Sequence, residues 1–171
     1  MPFDAPPGWT WYRLSACWEL LSGRDLTPSE YFDKPRGIPY ITGASNFTDY
    51  NLIINRWTDT PKVIAESGDL LITCKGTVGA MIINTQGDVH IARQIMAVRG
   101  YGSLNIEYLR IVMTSFILQI TSAAKGIIPG ISREDLLNLM IPCPNYNEQM
   151  RIIKAVNNAE ISLNEIAEIF S

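Results

Sequence analysis

Few side chains in this sequence are equipped for catalysis or metal binding. One histidine, His90, and three cysteines, Cys17, Cys74 and Cys143, are its whole stock of imidazole and thiol groups. The cysteines are odd in number and far apart in sequence, whereas a zinc site wants close pairs such as C-x2-C and a disulfide framework wants an even count. No metal is expected, and the cysteines read as core or neutral positions. His90 has no second histidine to work with and sits in a turn-rich, strand-forming stretch, so it reads as structural rather than as a general base.

Three enzyme patterns come close and fail. Asp69-Leu70-Leu71-Ile72-Thr73-Cys74-Lys75 resembles the acid-then-lysine strand of metal-dependent nucleases. There the position two before the lysine must carry a carboxylate for a hard divalent cation, and here it is Thr73. Lys75-Gly76-Thr77 holds phosphate-loop residues in the wrong order for G-x4-G-K-[ST]. Asp4-Ala5-Pro6-Pro7-Gly8-Trp9 is interrupted by Ala5 where an adenine methyltransferase would continue Asp/Asn-Pro-Pro-aromatic, and no Gly-rich cofactor loop accompanies it. A non-catalytic chain without a cofactor is expected.

The elements that must position the remaining polar residues are legible as patterns. Short β-branched runs at Ile38–Thr42, Val63–Glu66, Asp69–Cys74, Ala80–Asn84, Val89–Ala92 and Ile95–Arg99 are separated by glycines and read as strands. Gly76-Thr77-Val78-Gly79 reads as a hairpin connection and Gln86-Gly87-Asp88 as a turn. Ile106, Leu109, Met113, Phe116, Ile117 and Ile120 recur at helical steps, predicting a helix over about 105–122. Ser132 with Asp135 has capping-box spacing for a short helix, and Leu139–Pro142 reads as a last strand. Asn145, with Glu148 three residues on, caps a helix running to the end. On it Ile152, Val156, Ala159, Leu163, Ile166 and Phe170 form an a/d seam, which either docks on its own domain or meets a partner helix. Its terminal position and narrow heptad spacing favour the partner.

With 171 residues, 47% hydrophobic and 18% charged, the chain can bury a core and fits one domain with an appended helix. No apolar run approaches the ~18 residues of a membrane span, and the start of the sequence lacks a secretory pattern. A soluble, cytoplasmic protein without membrane contact is expected. The net charge of −3 argues against a generic nucleic-acid binder, but it is unevenly spread. Residues 56–133 carry eight Lys/Arg against five Asp/Glu, whereas residues 134–171 carry two against six. A basic centre permits a localised site for an anionic ligand, and is equally compatible with an ordinary solvated surface.

The order of these motifs resembles the DNA specificity subunit of type I restriction–modification systems: one target recognition domain and the helix that follows it. The resemblance is carried by Pro7-Gly8-Trp9 with Leu14, Ile38-Pro39-Tyr40-Ile41, Gly68-Asp69-Leu70-Leu71-Ile72, Lys75-Gly76-Thr77-Val78-Gly79 and Gln94 leading into Ile95-Met96-Ala97-Val98. It continues through Gly126–Ile131 with Ser132, Leu136–Ile141, Pro142, Pro144 and Glu148-Gln149-Met150-Arg151-Ile152-Ile153. Cys143-Pro144-Asn145 departs from the family, which more often has an apolar residue and further prolines at this turn. The resemblance implies an α+β fold: a β-rich recognition domain with short flanking helices over residues 1–144, then a long coiled-coil-type helix over 145–171. It implies a half-subunit, or an excised half, that reads one half of a bipartite, gapped site in double-stranded DNA. Its helix would pair with a counterpart, as in a homodimer, and be gripped by methyltransferase (modification) subunits. The restriction subunit would be an indirect partner, and catalysis would belong to the other subunits.

Such recognition needs phosphate contacts for placement and base-edge contacts for sequence. Lys75 beside Gly76, Thr77 and Gly79 can reach a phosphate, or be a solvated turn lysine. Lys125, Ser132 and Arg133 flank the Gly126–Ile131 loop and can hold a phosphate, or serve as loop surface and helix cap. Arg93 and Gln94 have the donor geometry for guanine and adenine, Asn46 also suits adenine, and Thr42 and Ser45 share its polar loop. Each reads first as a polar loop residue, with base contact as the functional alternative. Trp9, Trp11, Trp18 and Trp57 read as aromatic core rather than as base-stacking platforms. The competing function is a non-DNA oligomeric scaffold assembled through the terminal helix.

Overall fold

The computed structural model describes residues 4–49, 51–101, 104–123 and 130–169. Among these, ten strands and four helices run in the order β1 (Thr10–Arg13), α1 (Leu14–Cys17), β2 (Trp18–Ser22), β3 (Ile38–Ile41), β4 (Trp57–Thr58), β5 (Ile64–Ala65), β6 (Leu70–Thr73), β7 (Met81–Ile83), β8 (Val89–Ile91), β9 (Ile95–Gly100), α2 (Ile106–Ala123), α3 (Arg133–Leu137), β10 (Met140–Cys143) and α4 (Tyr146–Ile169). The expected α+β class, β-rich with short helices and one long terminal helix, holds.

The middle layer is an antiparallel sheet in the order β2-β9-β6-β7. Successive side chains on a strand face opposite ways, so a strand buried on both sides must be apolar throughout. Leu70 and Ile72 of β6, with Met96 and Val98 of β9, join Leu109, Met113, Leu136 and Ile141 from the helical side in one core. The alternate residues Leu71, Ile95 and Ala97 join Ile41, Val89 and Ile91 in a second core. That second core lies against a sheet in the order β4-β3-β8-β5, where β3 and β8 run parallel. The near-continuous apolar runs Leu-Leu-Ile and Ile-Met-Ala-Val therefore mark the central layer.

The β6–β7 hairpin is built as its glycines predict. Gly76 and Gly79 have φ of 73° and 89°, and a Cβ at Gly79 would lie 2.4 Å from Ile117 Cγ2 of α2, so a side chain there would meet both strain and a clash. On α2, Leu109, Met113 and Ile117 are buried as the stripe predicts. The amino-terminal elements β1, α1 and β2 carry no local strand or helix pattern that would predict them. They owe their form to distant partners: β1 pairs with β10 and β2 with β9.

α4 starts as expected, with the Glu148 backbone N–H donating to Asn145 Oδ1 at 3.0 Å. The two alternatives for its seam divide along its length. Gln149 is buried, accepting from the Asn105 backbone N–H (2.9 Å) and donating to the Pro144 carbonyl (3.1 Å), and Ile153 is buried in the main core. Ile152 and Val156 are half-buried, whereas Ala159, Leu163 and Ile166 are exposed. Phe170 lies outside the described residues. No helix among the described residues is long and apolar enough to cross a membrane.

Candidate nucleic-acid interface

The ends of three central strands bring several candidate residues together. At the end of β6 the Cys74 N–H donates to the Gln94 carbonyl (2.7 Å), and the Ile131 N–H donates to the Cys74 carbonyl (2.9 Å). This places the segment before α3 beside Lys75: a Cβ on Gly130 would come within 3.8 Å of Lys75 Cγ. The Ala92 N–H donates to the Ile41 carbonyl (2.9 Å), which joins the β8–β9 connection to the loop after β3. Gln94 is exposed, and its Oε1 would lie 2.7 Å from a Cβ at Gly43, so the Gln94 amide lies close against the loop after β3. Thr42, Lys75, Gly76, Arg93, Gln94, Ser132 and Arg133 thus come from loops that meet at one edge of the layers.

Sequence reasoning missed a fifth segment at this edge, Ser22-Gly23-Arg24-Asp25. The Gly23 N–H donates to the Ile95 carbonyl (3.0 Å) and the Arg24 N–H to the Ile91 carbonyl (2.9 Å), so the segment follows the β8–β9 connection closely. Arg24 and Asp25 are exposed. Their only local signal is the glycine turn with flanking charges; the pairing of β2 with β9 that puts them here is not visible in the sequence.

Individual candidates divide by how much of their hydrogen-bonding capacity is already used. Lys75 is exposed and no described residue is within salt-bridge distance of its ammonium. Arg93 pairs with Asp25 through Nε at 2.8 Å. Asn46 is fully buried: its Oδ1 accepts from the Thr42 N–H (2.9 Å), Thr42 Oγ1 (3.0 Å) and the Gly43 N–H (3.3 Å), and its amide donates to the Ile53 carbonyl (2.8 Å) and Asn55 Oδ1 (3.3 Å). The adenine contact expected of Asn46 is therefore corrected; its amide is spent holding the Thr42–Asn46 loop, where Ser45 is exposed. Arg133 donates to the Leu20 carbonyl and to Ser22 Oγ (3.1 Å), which ties α3 to β2. Ser132 completes its capping box, its Oγ accepting from the Asp135 N–H (3.1 Å) and its own N–H donating to Asp135 Oδ2 (2.8 Å). That carboxylate is held below its ordinary range by these bonds.

The hairpin tip departs from the group. Thr77 lines a groove with Ala44, Phe47, Met81 and Leu163, on the side of α4, and Gly79 rests on Ile117. Lys125 lies outside the described residues.

The near-catalytic patterns are engaged in structure. Asp69 takes the Arg99 guanidinium at 2.8 Å and the Glu66 N–H at 2.8 Å, and Thr73 Oγ1 accepts from the Ala80 N–H (2.9 Å) inside the hairpin. His90 is fully buried with Nδ1 against the Val63 carbonyl (2.8 Å), and burial holds its pKa below the usual value. Burial pushes the Cys74 thiol up and the Cys143 thiol up to about 12. Trp18 is in the core, whereas Trp9, Trp11 and Trp57 are half-buried. Among the described residues no group of three His, Cys, Asp or Glu could hold a metal.

The chain matches the family model of the type I restriction modification DNA specificity domain over residues 6–169 and belongs to that family. Among solved structures, the HsdS subunit from Thermoanaerobacter tengcongensis is similar with a TM-score of 0.88 and 26% identity, over 99% of this chain and 41% of that one. A chain solved in work on complex assembly and conformational transition of the type I R-M system gives 0.86 and 26%, over 98% of this chain and 42% of its own. At 18% identity, the type I S subunit from M. genitalium shares the fold alone, with a TM-score of 0.65 over 94% of this chain and 41% of that one. This chain spans less than half the length of each. No curated protein matched it significantly.

Proposed function

We propose that this chain gives a type I restriction–modification complex its DNA sequence recognition, reading one half of a bipartite, gapped site in double-stranded DNA. The observation that carries this reading is the meeting of five chain segments at one edge, with Lys75 unpaired among the described residues and Arg93 and Gln94 exposed. Lys75 supplies a phosphate contact that places the duplex, and Arg93 and Gln94 supply donors to base edges. Residues 1–144 form the recognition unit, while the helix from 145 docks methyltransferase subunits and pairs with a second copy. Methylation and cleavage belong to the other subunits, the restriction subunit is reached indirectly, and the complex works in the cytoplasm.

The scaffold alternative uses the same exposed half of α4 but needs no DNA. The two part on salt dependence, measured with the chain assembled with its methyltransferase subunits. Duplex binding should weaken linearly in log K against log salt, and Lys75→Ala should reduce that slope by about 1 while weakening all sequences alike. Failure of the assembled complex to prefer any duplex sequence would overturn the recognition reading.

A further inference from the structure

We propose that Asp25 is a positioning residue for base readout, holding Arg93 so that it selects guanine. This rests on the DNA-recognition reading and adds to it a residue that never need touch DNA. The Asp25 carboxylate turns both oxygens to one partner: Oδ1 accepts from the Arg93 backbone N–H at 3.1 Å, and Oδ2 forms an ion pair with the Arg93 guanidinium, 2.8 Å from Nε. Backbone and side chain of Arg93 are thus fixed by one group, 68 residues away in sequence.

Asp25 is itself held firmly. On one side the Gly23 and Arg24 N–H groups bond to the Ile95 and Ile91 carbonyls, which bracket Arg93. On the other, the Leu26 N–H donates to Tyr40 Oη at 3.3 Å, and both residues are buried. The clamp therefore belongs to the body of the domain, although Arg93 and Asp25 remain 69% and 47% exposed.

This geometry selects among ligands. With the carboxylate on the Nε side, the two Nη amines are the guanidinium's outward fork; among the described residues neither makes a hydrogen bond. A fork of two parallel donors matches guanine O6 and N7. A phosphate would meet the adjacent carboxylate as a like charge, so the paired arginine is a poorer phosphate clamp than the exposed Lys75. An exposed ion pair contributes little to stability, so its value here is orientation.

The test selects duplexes from a library randomised across the recognised half-site, using the full chain assembled with its methyltransferase subunits. The wild type should enrich a motif containing guanine, and Arg93→Ala should lose the preference at one guanine, about tenfold or more. Asp25→Ala and the near-isosteric Asp25→Asn should relax that same position and leave the others intact. Asp88→Asn, which removes an equal charge from the turn after β7, should alter overall affinity alone. A folding defect would lower binding at every position alike, and thermal unfolding of each variant identifies it. Asp25 variants that relax all positions equally, or none, overturn the proposal. So does an Arg93→Ala variant that lowers the salt slope without changing base preference. A wild type that enriches no motif overturns instead the recognition reading beneath it.

Discussion

The two sheets flanking the second core are held by different chemistry. The β2-β9-β6-β7 layer is apolar on both faces, and Leu70, Leu71, Ile72, Ala97 and Val98 are wholly buried. The β4-β3-β8-β5 layer has shorter strands and places polar groups inside. Thr58 Oγ1 donates to the Glu30 carbonyl (2.7 Å), His90 lies against Val63, and Asn46 gathers its own loop. In the first layer too, at the end of β7, Asn84 fixes a loop by donating to the carbonyls of Glu66 (2.9 Å) and Gly87 (2.7 Å). Apolar burial is shared by both layers, while the second adds buried side-chain hydrogen bonds that fix its loops. In the second, each buried polar group specifies the path of one loop.

The largest effect should therefore come from the apolar layer. Leu109→Ala, which removes a fully buried side chain between α2 and the central sheet, should cost about 2–5 kcal/mol of unfolding free energy by denaturant titration. Base preference in the molecules that remain folded should be unchanged. A Leu109→Ala variant that altered base preference would break the division between the two layers. Asn46→Ala should cost less, about 1–3 kcal/mol, because it strips partners from Thr42, Gly43 and Ile53. It should also change the sequences bound, because the loop beside Gln94 loses its fixed path. Stability loss without that change would show that the loop takes no part in readout.

The same division governs what the sequence made legible. Apolar runs bounded by glycine located β3 and β5 to β9, and the caps Ser132 and Asn145 located α3 and α4, because those signals are local. Neither strand alternation nor a helical stripe marks Thr10–Ser22, where mixed aromatic, charged and small residues become β1, α1 and β2 through pairing with β10 and β9. The site was legible as residue types and not as contacts. Lys75, Arg93 and Gln94 could be chosen because their donors suit DNA, but burial of Asn46 and capture of Arg93 by Asp25 arise from segments distant in sequence.

The smallest effect on folding is expected where a helix leaves the body. Leu163 and Ile166 are 64% and 51% exposed, whereas Ile153, earlier on the same helix, is buried. Leu163→Ser with Ile166→Ser should leave the unfolding free energy of the dilute chain within about 0.5 kcal/mol, as for other exposed positions. An apolar seam left this exposed by its own domain gains further burial from another molecule. If that molecule is a second copy, the wild-type chain should show a concentration-dependent mass by light scattering, and the double variant should remain a monomer. A wild type that stays monomeric at high concentration would assign the seam to a different partner. A large loss of monomer stability would instead return these residues to the domain's own core, and the contrast between the two halves of α4 would fail.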